Sequence, residues 1–158
     1  LSMGGNGTLI YALNHPEKFA KAAVLSSSAR EYSEAFLSSE REKGKRRFDN
    51  MISMMGGVEE FLSSKANARR TIAELMAAGK EKTLPELFFA YGDKDHGYAE
   101  FLNFLEFSRK QYFPLTYEVI PGYRHEWRFW DLAIQDALYF FGIGEKTERC
   151  DGFQRLNG

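Results

Sequence analysis

The chain has 158 residues, 44% of them hydrophobic and 15% aromatic, with a formal net charge of -1. That length suits one domain with a sizeable core, the composition excludes a disordered chain, and the near-neutral charge disfavours a nucleic-acid partner. A single cysteine, Cys150, excludes an internal disulfide framework, and no apolar run approaches the roughly 18 residues of a membrane span.

The chain opens on LSMGGNG, with Ser2 ahead of Gly4, Gly5 and Gly7. A helical pattern follows, with Leu9, Ile10 and Leu13 on one face and Ala12 beside them; Pro16 ends it. KAAVLSSS, at 21–28, reads as a short buried strand. Residues 29–84 show no clear strand, only charge, glycine pairs and short amphipathic segments. Within them SEREKGKRRF carries Arg41, Lys43, Lys45, Arg46 and Arg47 among Glu40 and Glu42. The run is short and mixed, so it reads as a solvated face rather than an anion or membrane patch. Two short helices follow, opened by Gly56 and Gly57 and closed by Gly79. Met51, Met54 and Met55 read as packing rather than a ligand set.

PELFFAYGDKD is a strand running into a turn. Its unbroken Leu87, Phe88, Phe89 and Ala90 predict a parallel strand buried on both faces. YAEFLNFLEFSRKQ predicts a helix with the stripe Phe101, Leu102, Phe104 and Leu105. LTYEVIPG is the next strand. EWRFWDLAIQDALYFF is a closing helix with the stripe Trp127, Trp130, Ile134, Leu138 and Phe141, stopped by Gly142. The polar remainder is expected to lie on the surface. Strands alternating with helices predict an α/β chain: a parallel sheet flanked by helices.

Ligands of such sheets bind beyond the carboxyl ends of the strands. On that edge the pattern places Ser2, then Asp93, Asp95 and His96, then Tyr123, Arg124, His125 and Glu126. A serine, an acid and a histidine can therefore converge in the order Ser…Asp…His, the order of one serine triad among several. Leu1-Ser2-Met3-Gly4 is the x-S-x-G of a G-x-S-x-G nucleophile elbow. Each residue also has a plainer reading. Ser2 could cap a helix, and Asp93 could form a turn. His96 could line a pocket or face solvent, and His15 could complement a helix terminus. Trp127, Phe129 and Trp130 could line a substrate pocket or pack. His, Cys, Asp and Glu show no metal-ligand spacing.

These motifs resemble the carboxyl-terminal half of an α/β-hydrolase of the esterase D type, which includes short-chain ester, feruloyl and acetylxylan esterases and S-formylglutathione hydrolases. LSMGGNGTLIYALNHPEKFA resembles its elbow and following helix, LFFAYGDKD its acid loop with G-x-x-D, and PGYRHEWRFWD its histidine loop. The resemblance implies Ser2 as nucleophile, Asp95 as acid and His125 as base, with the Met3 N–H as one oxyanion donor and His96 and Trp127 beside the substrate. Trp127, Phe129 and Trp130 resemble the tributyrin and feruloyl branch more than the S-formylglutathione branch. The implied activity is hydrolysis of short-chain or aromatic acyl esters through an acyl-enzyme, with a small-molecule or carbohydrate-linked substrate and no cofactor.

Residues 1–158 would then be one portion of a single hydrolase domain. Its amino-terminal half and second oxyanion donor would lie outside the chain, and 29–84 would be a helical cap-like insertion. The alternatives are an acyltransferase using the same triad, or a non-catalytic half-domain that associates with a partner. A homo-oligomer is compatible with both. The lone cysteine fits a reducing cytoplasm, the favoured location, although a signal peptide ahead of Leu1 would change that.

Overall fold

The structure is a computed structural model and describes residues 1–43 and 47–157. Its centre is a four-stranded sheet in the order β1-β2-β3-β4. The strands are β1 (Lys21–Leu25), β2 (Glu86–Gly92), β3 (Leu115–Ile120) and β4 (Gln154–Leu156). The first three are parallel, with Lys21 opposite Glu86 and Phe88 opposite Thr116, and β4 runs antiparallel to β3. The first three strands form the parallel sheet flanked by helices expected of an α/β-hydrolase portion, and the antiparallel β4 is an addition to it.

β2 explains its own sequence. Leu87, Phe89 and Tyr91 face one layer, and Phe88 and Ala90 face the other, all buried. A strand covered on both sides has no polar face to alternate with. The first layer is built by α1 (Ser2–Asn14), α5 (Ala68–Ala77) and α6 (Tyr98–Lys110), through Leu9, Leu13, Ile72, Phe101 and Phe104. The second layer is α7 (Trp127–Phe141), through Phe129, Ala133 and Ala137.

Between β1 and α5 lie α2 (Glu34–Glu42), α3 (Arg47–Met54) and α4 (Val58–Ser63). They close a small core of their own on Leu37, Ile52 and Phe61. Met51 packs against that core, whereas Met54 is fully outside it and Met55 is exposed. Lys43 pairs with Glu40 at 3.3 Å, as a mixed-charge helix face does; Lys45 and Arg46 of the basic run lie outside the described residues. Arg69 ties α5 to the segment after β1 and to α6. Its guanidinium donates to the Ala29 carbonyl (2.8 Å), to Asn103 Oδ1 (2.6 Å) and to Glu100 (3.2 Å).

Four predicted features differ from what forms. The strand expected over 21–28 stops at Leu25, because Ser26 turns into the left-handed region (φ 51). In α6, Leu102 is exposed and Ser108 takes its place in the buried stripe. In α7, Trp127, Ile134 and Leu138 are exposed; the buried residues are Phe129, Ala133, Asp136 and Ala137. The tail beyond Gly142 is not merely surface. It forms a 3-10 turn and β4, burying Cys150 and Leu156. Asp136, fully buried, anchors it by accepting from Arg149 Nε (2.6 Å), Arg149 Nη2 (3.1 Å) and Thr147 Oγ1. Among the described residues no helix is long and apolar enough to cross a membrane.

Candidate active site

Ser2 is the first residue of α1, and Leu1 occupies the cap position without a side-chain bond. The hydroxyl is therefore not used as a helix cap. It lies 2.8 Å from His125 Nε2 instead. Ser2 has φ 51, a conformation that costs a residue with a Cβ on the order of 1–3 kcal/mol and that gathers at functional sites. Gly5 lets this turn sit against the sheet: a Cβ there would come 2.8 Å from Ser27 Cβ and 3.3 Å from the Leu25 carbonyl. Gly4 and Gly7 meet nothing within 4 Å, so close approach explains only one of the three glycines.

Asp95 follows β2, and its side chain is only 1% exposed. Oδ2 lies 2.8 Å from His125 Nδ1, and Oδ1 accepts the Gly97 N–H at 2.8 Å. A carboxylate that only accepts places the imidazole proton on Nδ1, which leaves Nε2 as the acceptor for the Ser2 hydroxyl. A serine, a histidine and an aspartate are thus joined by two short hydrogen bonds across 123 and 30 residues of sequence.

Two loops are locked together beneath this relay. Gly92 packs against the Tyr123 carbonyl so closely that any Cβ would overlap it. The Lys94 N–H donates to the same carbonyl at 2.9 Å, and the Gly122 N–H donates to Asp93 Oδ1 at 2.6 Å. Asp93 therefore does more than shape a turn: it pins the histidine loop to the acid loop. A second support reaches His125 from α7. The Trp130 indole stands edge-to-face against the imidazole at 5.0 Å, and its Nε1–H donates to Ser26 Oγ at 3.0 Å. Ser26, the other strained serine, is the residue that ends β1. Sequence pattern shows none of these partnerships, since each joins segments far apart in the chain.

His96 does not simply point away. Its side chain is 78% exposed, yet Nδ1 lies 3.5 Å from Asp95 Oδ1 and the ring is 4.6 Å from that of His125. His15 pairs with Glu17 at 3.6 Å and takes no part in this relay. Met3 presents its side chain to solvent, and its N–H, in the first turn of α1, is among those with no acceptor within the helix. A recess of about 490 Å³ is lined by Leu1, the residue before Ser2, and by Trp127, Arg128, Trp130, Asp131 and Ile134. Burial, with the Asp95 charge as a smaller contribution, pushes the Tyr91 hydroxyl up, so that it stays neutral beneath the acid loop.

A family model described as "Putative esterase" matches residues 1–141. Three solved structures are similar. An S-formylglutathione hydrolase (FrmB) from Staphylococcus aureus is 25% identical, with a TM-score of 0.64 over 88% of this chain and 51% of that one. A substrate-bound fluorophosphonate-binding serine hydrolase F from Staphylococcus aureus gives the same values. A ferulic acid esterase, 19% identical, shares the fold with a TM-score of 0.57 over 88% of this chain and 48% of that one. The chain spans about half the length of these proteins.

Proposed function

This chain belongs to that esterase family, and we propose that it carries the catalytic relay of a serine ester hydrolase acting on short-chain or aromatic acyl esters. One observation carries the reading: a strained serine at a helix start, 2.8 Å from a histidine that is itself 2.8 Å from a buried aspartate.

A serine hydroxyl is a weak nucleophile at neutral pH, and a base within hydrogen-bond reach activates it. Ser2 Oγ attacks the ester carbonyl as His125 Nε2 takes its proton. Asp95 holds the tautomer and stabilises the imidazolium. The carbonyl oxygen becomes an oxyanion, which the Met3 N–H meets from the start of α1. Collapse expels the alcohol, protonated by His125, and leaves Ser2 acylated. Water, deprotonated by His125, then releases the acid. The aromatic recess of Leu1, Trp127 and Trp130 suits a short or planar acyl group. Residues 29–84 leave the sheet at the end of β1, the edge that holds the relay. Within them α2 to α4 share a small core of their own, which supports a cap over the site, whereas α5 packs into the sheet's first layer.

The test is hydrolysis of p-nitrophenyl acetate, p-nitrophenyl butyrate and methyl ferulate. Ser2→Ala is expected to lower kcat by roughly 10⁴-fold or more. Undiminished turnover in Ser2→Ala would overturn the assignment.

A further inference from the structure

We infer that Asp95, His96 and His125 form a binding site for a divalent transition cation of the zinc class, and that filling it takes the relay to Ser2 apart. The binding half stands on geometry alone; the inhibitory half rests on the hydrolase reading above.

One carboxylate oxygen and one ring nitrogen from each histidine lie within 4.8 Å of one another, the one such trio among the described residues. His96 Nδ1 is already 3.5 Å from Asp95 Oδ1, and His125 Nδ1 is 2.8 Å from Asp95 Oδ2. Ligand atoms of a tetrahedral zinc sit roughly 3.4 Å apart, given metal–ligand bonds of about 2.0–2.2 Å. The change needed is a modest turn of side chains, and His96 is free to make it, being 78% exposed. Asp95 is held from behind by the Gly97 N–H, the kind of outer hydrogen bond that orients a metal-binding carboxylate. Two imidazoles and one carboxylate select zinc or copper(II) over magnesium or calcium, which prefer all-oxygen sites.

The consequence for His125 does not depend on which nitrogen binds. Nδ1 is bonded to Asp95 and Nε2 to Ser2. A metal on Nδ1 takes the lone pair there and breaks the bond to Asp95, so the neutral imidazole carries its proton on Nε2, which then donates and cannot take the serine proton. A metal on Nε2 removes the lone pair that takes the serine proton. Metal binding and activation of Ser2 are therefore mutually exclusive, and His96 is the residue that adds the third ligand.

The experiment is calorimetric titration of the protein and of His96→Gln with ZnCl2, with MgCl2 as control. Turnover of p-nitrophenyl acetate is then measured with zinc and with EDTA, as a ratio within each protein. We expect one zinc per chain, affinity weaker by roughly tenfold or more in His96→Gln, no magnesium binding, and turnover suppressed by zinc at lower concentration in the parent than in the variant. Equal zinc affinity in both proteins, or no zinc binding by the parent, would overturn the site. Zinc bound as expected without loss of turnover would overturn its inhibitory role. Failure of the hydrolase reading has a different signature: no turnover even in EDTA, with the calorimetric difference intact.

Discussion

Asp93 and Asp95 stand two residues apart in one turn and do different things. Asp95 is buried, and both of its oxygens are engaged, one by His125 and one by the Gly97 N–H. Asp93 is partly exposed, and its carboxylate accepts from Gly122, at the head of the loop that carries His125. Under the proposed function Asp93 is a positioning residue: it touches neither Ser2 nor His125, yet its bond to Gly122 holds the loop that carries His125. Asp93→Ala should lower kcat about tenfold with KM little changed, since losing an oriented group harms the transition state more than binding. Asp93→Asn keeps an oxygen to accept the Gly122 N–H and should restore most of the loss. Steady-state kinetics on the two variants decide it; an unchanged kcat in Asp93→Ala would contradict the role. The three relay residues were legible in the sequence because each sits in a short local motif: x-S-x-G, G-x-x-D, and a histidine in a turn after a strand. Their supports were not legible. Asp93 with Gly122, Ser26 with Trp130, and His96 turned back toward His125 depend on how distant loops meet.

Among the elements, α7 shows why a helix stripe can be misread. Trp130 packs against the core as expected, but Trp127, Ile134 and Leu138, with the right spacing and large side chains, are exposed. The face that meets the sheet is instead Phe129, Ala133, Asp136 and Ala137, since small residues let a helix approach a sheet closely. Asp136 was the least expected member. It is tolerated at zero exposure because Arg149 and Thr147 arrive from the tail to satisfy it, and that pairing is also what docks β4. Opposite it on β3 lies Glu118, buried, with one oxygen lacking any hydrogen-bond partner. Burial first, then the charge of Asp136, pushes the Glu118 carboxyl up to about 8 from an ordinary 4.5, against a smaller opposing pull from Arg149. The sign follows from proton counts. Between those two values the unfolded chain has released the Glu118 proton and the folded chain keeps it, so stability falls as pH rises, by at most about 1.4 kcal/mol per pH unit. Above about 8 the loss is complete. Glu118→Gln should flatten this slope and unfold at higher temperature than the parent at pH 8. Thermal unfolding from about pH 5 to pH 8 checks it, and an equally steep slope in the variant would contradict it.

At the scale of the molecule, the order of strands and helices was legible because β2 is buried on both faces and its unbroken apolar run has few other meanings. That order alone places Ser2, Asp95 and His125 on one edge of the sheet. The lengths of the crossing segments, the small core of α2 to α4 and the docked tail were not legible, because each is settled by side chains that meet only in the folded chain. The whole arrangement converges on one hydroxyl. A fluorophosphonate probe reacts with a serine only where a neighbouring base has activated it, so the most direct measurement is the site of its attachment, found by peptide mass spectrometry. Labelling is expected at Ser2, lost in His125→Ala and strongly reduced in Asp95→Asn. Labelling at another serine, or labelling of Ser2 that persists in His125→Ala, would contradict the proposed relay.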